Sequence, residues 1–457
     1  MSHRNTLSLS SVSSPSPSPS HSSITTTNTP LVMRKSLFLA GACLSTLPRQ
    51  RVIPGRVFYD FDGFTPKDPM DVFVDSGFNS VRVLTSRDQP LTTNSFDNDG
   101  DVVRREQNFE LDLGGIDLQV KLALQATQKN MTIIHTINMG QDIPLEWQNY
   151  SYKEMLQQID AETKRQITPF LEAGVQPDII LLENEGTDGF LFQVNTTNGQ
   201  VHNRGILDGG IDQGTLEKEL RGIIPTGNIA CYPQLAGYYK QEILTAKRLL
   251  CQYNLDLGKT RFGLHTHGQY FQFKQDVVYS EDENAETEYS NGNIHYNYTN
   301  IIPKHLLNRR ASKELDIIGY SGYPDPMAPN GTSNEALEAT FDRLQSILAY
   351  SKPLVELYGR RTCGPFAGQY KKQLLSVEYA SRFSLGQEDI QINHINMLFN
   401  IVKQYEWYLG VLWWEPTYVF NNWEGGEATQ YRAWFKGSGT MAAPKNTVVT
   451  WGNNAQS

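Results

Sequence analysis

Two stretches of this chain end a short apolar run on a carboxylate. Pro177-Asp178-Ile179-Ile180-Leu181-Leu182-Glu183-Asn184-Glu185-Gly186 breaks from aliphatic residues into an amide, an acid and a glycine. Lys352-Pro353-Leu354-Val355-Glu356-Leu357-Tyr358 repeats the pattern late in the sequence. A continuous apolar run reads as a strand covered on both faces. Polar side chains at the C-terminal end of such a strand point to where α/β barrels bind their ligands. Two strand-end carboxyl groups, one protonated and one ionised, suit displacement at the acetal carbon of a glycoside. A lone strand-end glutamate is commonly just a solvated loop residue, so the repetition carries the reading.

The elements that must position these groups alternate along the chain. Strands are expected at Ile53 to Tyr59, Ser80 to Leu84, Met131 to His135, Pro177 to Leu182, Thr260 to His265, Leu315 to Tyr320, Pro353 to Glu356 and Gly410 to Trp414. Helical stripes fall between them, for example Leu156, Ile159, Thr163, Ile167, Phe170 and Leu171, and later Ile392, Ile395, Phe399, Val402 and Tyr405. Eight strands with intervening helices predict a (β/α)8 TIM barrel over residues 52–457. The long irregular stretches 85–114, 186–235, 266–296 and 358–387 each follow an expected strand, so they elaborate the ligand-binding face. Trp413 and Trp414 end the eighth strand and cannot share a face, because neighbours alternate. One is expected to floor a sugar subsite and the other to join the core, with Glu415 a supporting hydrogen-bonder.

Composition narrows the partners. Forty-nine acidic residues against 40 basic ones argue against nucleic acid, and 22 Tyr with 7 Trp offer faces on which sugar rings stack. No run of 18 apolar residues occurs, so no membrane-spanning helix is expected. Residues 1–51 read as a Ser/Pro-rich disordered leader, within which 33–47 resemble a signal peptide: Met33-Arg34-Lys35, a brief apolar stretch, and the small residues Ala40-Gly41-Ala42. Secretion is expected, with the mature chain starting after Ala42 or a few residues later. The sequons at Asn130, Asn149, Asn195, Asn297 and Asn330 fit glycosylation. Among the four cysteines, Cys231 and Cys251 form the expected disulfide.

In order along the chain, the motifs resemble glycoside hydrolase family 53, the arabinogalactan endo-β-1,4-galactanases, in the clan of retaining (β/α)8 glycosidases. Phe58-Tyr59-Asp60 with Gly63, then Gly77-Phe78-Asn79-Ser80-Val81-Arg82, resemble the family's first two strands. Asn184-Glu185 matches the acid/base pair, Asp316 to Pro324 the sixth-strand motif, Glu356 the nucleophile's place and Gly410 to Pro416 the Trp-Glu-Pro segment. The resemblance implies Glu185 as acid/base and Glu356 as nucleophile, opposed across the mouth about 5–5.5 Å apart. Arg82 would pair with Glu356, or with another acid in the mouth. Asn184 would bond a sugar 2-hydroxyl or cap its loop. Tyr320, Tyr323 and His265 are further candidates for sugar contact, the tyrosines being equally suited to the core. Departures lie at His135-Thr136-Ile137-Asn138, Gly189-Phe190-Leu191-Phe192, Gly322-Tyr323 and Tyr418, all in expected subsite walls.

These features predict a secreted, monomeric retaining endo-β-glycanase acting on a polysaccharide, foremost plant cell-wall β-1,4-galactan, with no cofactor. Three alternatives remain open at this level. One is a different retaining β-glycanase of the same clan. Another is a metal-dependent barrel hydrolase using His135, His265 and His267. The third is a catalytically silent sugar-binding barrel.

Overall fold

A computed structural model describes residues 38–52, 55–87, 94–96, 102–104, 115–140, 147, 150–184, 193–194, 201–202, 232–266, 314–322, 334–380, 388–417, 435–436, 441–444 and 446–456. Eight parallel strands close into a barrel: β1 (Leu39–Cys43), β2 (Ser80–Ser86), β3 (Thr132–Asn138), β4 (Ile179–Leu182), β5 (Arg261–Thr266), β6 (Ile317–Ser321), β7 (Gln373–Tyr379) and β8 (Tyr408–Trp414). The ring closes where β1 pairs on one side with β8, Cys43 opposite Trp414, and on the other with β2, Cys43 opposite Arg82.

Besides a short helical segment at Leu47–Arg51, the described residues include the helices α1 (Pro69–Asp75), α2 (Ile116–Gln128), α3 (Tyr152–Glu172), α4 (Tyr232–Gln252), α5 (Asn334–Tyr358), α6 (Glu388–Val402) and α7 (Asn446–Gln456). Their starts follow local chemistry. Asp68 accepts from Met70 N ahead of Pro69 at the first position of α1. At α3, Ser151 and Glu154 form a reciprocal capping box.

Strand alternation divides the core in two. Leu39, Ile134, Ile179, Leu181, Ile317, Leu375, Val377, Leu409 and Leu412 fill the barrel interior. The opposite faces, including Val81, Ile180, Phe262, Tyr320 and Trp413, pack against the helices. At the lower end Arg261 Nη1 donates to Gln373 Oε1 at 2.8 Å. Above the aliphatic layers the inward residues turn polar, and the functional groups sit there.

The eight-strand barrel is as expected, with two strands displaced. The first is Leu39–Cys43, inside the stretch read as a leader, and the barrel unit runs from Ser36. Small residues occur there because the backbones approach closely. A Cβ on Gly41 would lie 2.1 Å from Ser80 O, and Ala40 and Ala42 are buried. Cleavage after Ala42, expected above, would cut this barrel strand. Among its described residues, the segment expected as the first strand holds the short Val57–Phe58, which pairs with Met441–Pro444 outside the barrel.

Pro353 to Glu356 is not a strand. It belongs to the last turns of α5, where Val355 is buried and Leu357 is exposed. Residues 359–371 therefore precede β7 and lie at the end of the barrel opposite the mouth, not on the ligand face. The Cys231–Cys251 disulfide also fails. Cys251 is a free thiol near the end of the 21-residue α4, and Cys231 lies outside the described residues.

Candidate active site

Arg82, fully buried on β2, organises the mouth. Its guanidinium has five N–H donors in a planar fork. Nη1 donates to Glu378 Oε1 at 2.5 Å and approaches Cys43 Sγ at 3.6 Å. Nη2 donates to Asn184 Oδ1 at 2.6 Å and lies 3.4 Å from His265 Nδ1, while Nε donates to Thr136 Oγ1 at 2.8 Å. For His265 Nδ1 to accept from a guanidinium, the ring must carry its proton on Nε2. That nitrogen then donates to Ser321 Oγ at 3.0 Å. Residues from β1, β2, β3, β5, β6, β7 and the end of β4 are thus tied to one cation.

Glu378 reaches this cluster through an irregularity in β7. Against β6, Tyr320 is opposite Ser376 and Ser321 opposite Glu378, so Val377 is passed over. Against β8, Ser376 faces Val411 and Tyr379 faces Trp413, again with one extra residue on β7. Strict alternation would put Val377 and Glu378 on opposite faces. The bulge lets Val377 fill the barrel interior while Glu378 also points inward to Arg82, and Tyr379 returns to the outer layer.

The expected nucleophile, Glu356, is nowhere near this cluster. It lies on α5, its side chain 51% exposed, with Lys352 Nζ one helical turn away at 3.9 Å. The expected Arg82–Glu356 pair is replaced by Arg82–Glu378, whose side chains are 0% and 5% exposed. A signal for this was present: Leu374-Leu375-Ser376-Val377-Glu378 also ends an apolar run on a carboxylate. The run at 353–356 was the decoy, because an amphipathic helix end and a short buried strand look alike over four residues.

Asn184 and His265 stand in the mouth as expected. Glu185 follows Asn184 directly but lies outside the described residues, as do Tyr323, His267, Tyr418 and the sequons Asn149, Asn195, Asn297 and Asn330. Asn130 is exposed in the turn between α2 and β3. The two tryptophans divide. Trp413 is fully buried, edge-on to Trp451 of α7 and to Tyr379, so it is core. Trp414, on the other face, is only partly buried. Tyr320 is core rather than a sugar contact. It is 1% exposed, and its hydroxyl lies 2.5 Å from that of Tyr408.

Glu415 is spent on structure. Its carboxylate accepts from Ser45 N, Thr46 N, Thr46 Oγ1 and Cys43 Sγ, at 2.9, 3.1, 2.5 and 3.2 Å, pinning the loop after β1. Burial raises the Glu415 carboxyl and the Cys43 thiol. His135 leaves the mouth altogether. It stacks on Phe170 of α3 at 4.1 Å and meets Thr85 Oγ1 at 2.8 Å, with burial holding its pKa down near about 3. Its outward direction removes it from any metal set with His265. Among the described residues no group of three or more His, Cys, Asp or Glu could hold a metal ion.

Fold and site together make this a (β/α)8 barrel with an arginine–carboxylate centre at the C-terminal ends of its strands. Two solved structures of the same architecture cover nearly all of it. The GH53 catalytic domain of Ignisphaera aggregans is 17% identical, with 92% of this chain and 97% of that one covered at a TM-score of 0.56. A structure described under two fungal β-1,4-galactanases is 15% identical, with 91% and 99% covered at a TM-score of 0.55. No protein-family model matches the sequence, and no curated protein matches it significantly. At these identities the likeness establishes the fold.

Proposed function

We propose that this protein is a retaining glycoside hydrolase, with Glu378 as nucleophile and Glu185 as acid/base, acting on a β-linked polysaccharide and foremost on β-1,4-galactan. The observation that carries the reading is the Glu378–Arg82–Asn184 cluster at the barrel mouth. A buried carboxylate with a guanidinium counter-ion can attack an anomeric carbon. An amide in the same cluster is placed for a neighbouring sugar hydroxyl, and the residue after it in sequence is a glutamate. The likeness to the galactanase structures and the ordered motifs support the same substrate class.

In the first step Glu185 would protonate the glycosidic oxygen as the Glu378 carboxylate attacks the anomeric carbon. The glycosidic C–O bond breaks and an ester to Glu378 forms. Glu185, now a carboxylate, would take a proton from water, which attacks the same carbon and releases Glu378. Two inversions retain the β configuration. Secretion is also part of the proposal. It rests on the sequons, and deglycosylation should lower the apparent mass of the native protein.

The test is a screen on galactan, arabinogalactan, mannan, xylan and β-glucans with Glu378→Gln and Glu356→Gln alongside. Glu378→Gln should lose roughly 1,000-fold or more in rate, while Glu356→Gln stays near wild type. Proton NMR should show the β-anomer first. Equal activity in both variants, or an α-anomer as first product, would overturn the assignment.

A further inference from the structure

Ser321 ends β6 and is fully buried beside the arginine–carboxylate centre. The irregularity that turns Glu378 inward also sets its place. Across the seam between β6 and β7, Ser321 is opposite Glu378, and Gly322 N donates to Glu378 O at 2.6 Å. Ser321 Oγ lies 3.0 Å from His265 Nε2, and Nδ1 of the same ring lies 3.4 Å from Arg82 Nη2. His265 and Arg82 are fully buried as well. Ser321 therefore reaches the organising cation through one imidazole ring.

The direction of donation along this chain is set from the arginine end. A guanidinium can only donate, so Nδ1 must accept, and a neutral ring then carries its hydrogen on Nε2. Ser321 Oγ takes that hydrogen. Were the serine to donate to a bare Nε2 instead, Nδ1 would turn its own hydrogen towards those of the guanidinium. A doubly protonated ring would add a second buried cation at the same place. Both alternatives set like charge against like at close range in a buried site. The opposite arm of the guanidinium meets Glu378 of β7 and Cys43 of β1, with Glu415 after β8 reached through the Cys43 thiol.

We propose that Ser321 is a positioning residue: by accepting from Nε2 it fixes His265 as the acceptor that seats Arg82 against Glu378 and Asn184. This rests on the hydrolase reading given above. Nη2 also holds Asn184 Oδ1 at 2.6 Å, and Nη1 holds Glu378 Oε1 at 2.5 Å. The guanidinium is a rigid plane, so loss of an acceptor at one arm tilts the other. The contact with Glu378 thus depends on a hydroxyl that does not touch it.

Nitrogen-15 NMR of histidine-labelled protein distinguishes a ring hydrogen on Nε2 from one on Nδ1. Among the nine histidines, the signals of His265 are those lost in His265→Asn. Wild type should show His265 in a single Nε2–H form at neutral pH. Ser321→Ala should lose that single form, and Ser321→Thr, which keeps the oxygen, should restore it. In steady-state kinetics Ser321→Ala should lower kcat by about tenfold or more and change KM by under about threefold, and Ser321→Thr should recover most of the rate. His265→Asn sets a carboxamide oxygen where Nδ1 stood and needs no help from Ser321. Adding Ser321→Ala to it should therefore cost under about twofold. A merely structural role would lower thermal stability and leave the tautomer and kcat unchanged. A wild-type His265 with its hydrogen on Nδ1, or a Ser321→Ala variant that keeps both tautomer and kcat, would overturn the proposal. A wild type in the Nε2–H form but inactive on every glycoside would overturn the hydrolase reading, and the part Ser321 plays in it.

Discussion

Replacing Arg82 by Met leaves the Glu378 carboxylate buried without its counter-ion. The magnitude follows from burial and geometry. The side chains are 0% and 5% exposed, and the separation is 2.5 Å, so the pair belongs with desolvated bridges rather than surface ones. Breaking such a pair from one side costs about 3–5 kcal/mol, whereas a surface pair costs about 0–1 kcal/mol. The acceptors Asn184 Oδ1 and Thr136 Oγ1 also lose a donor, and Thr136 is fully buried, so this loss adds to the cost. About 4 kcal/mol is close to a thousandfold in the folding equilibrium and a large part of a typical stability of about 5–15 kcal/mol. Urea unfolding of the purified variants is the assay, with activity on the best substrate measured in parallel. Glu378→Leu alone should cost a comparable amount. The double variant Arg82→Met/Glu378→Leu should cost less than the sum of the singles by about 1–3 kcal/mol, because no charge is left unpaired. A loss below about 1 kcal/mol in Arg82→Met, or strict additivity, would refute the reading of a desolvated organising pair.

Further expectations follow from the same contacts. Because Glu183 is raised to about 8 and Glu242 is raised as well, the folded protein holds protons that the unfolded chain has released. This contribution is fully present below the ordinary carboxylate range and is lost as pH rises through about 8, so Glu242→Gln should flatten the fall in melting temperature over that window. His135 has the opposite sign. Its folded pKa, near about 3, lies below its unfolded value, so stability is lost as pH falls from about 6.5 towards 3, and His135→Phe should soften that acid limb in calorimetry. Gly41→Val drives a side chain into the β2 backbone and should cost at least about 1–3 kcal/mol in urea. A chain begun at Phe38 should fold, and one begun at Leu44 should not. Unchanged folding in the shorter chain would contradict β1. Trp413→Ala should cost about 3–5 kcal/mol of stability, while Trp414→Ala should act mainly on KM.

By itself the sequence determined the barrel and most of its wall. Six of the eight expected strands overlap barrel strands, because buried parallel strands are apolar runs and the helices between them carry a distinct period. It also singled out Arg82, Asn184 and His265, whose polar character at strand ends is a local property. Pattern could not separate Leu39–Cys43 from a leader, since small residues serve a processing enzyme and a crowded barrel seam equally well. Only the approach of Ser80 to Gly41 distinguishes the two. Nor could it separate Glu356 from Glu378. Both close an apolar run, and the choice depends on whether the run continues a helix or crosses the barrel. Even with β7 located, alternation would have left one of Val377 and Glu378 facing outward. The bulge that turns both inward is a relation between three strands, β6, β7 and β8, that no single segment encodes.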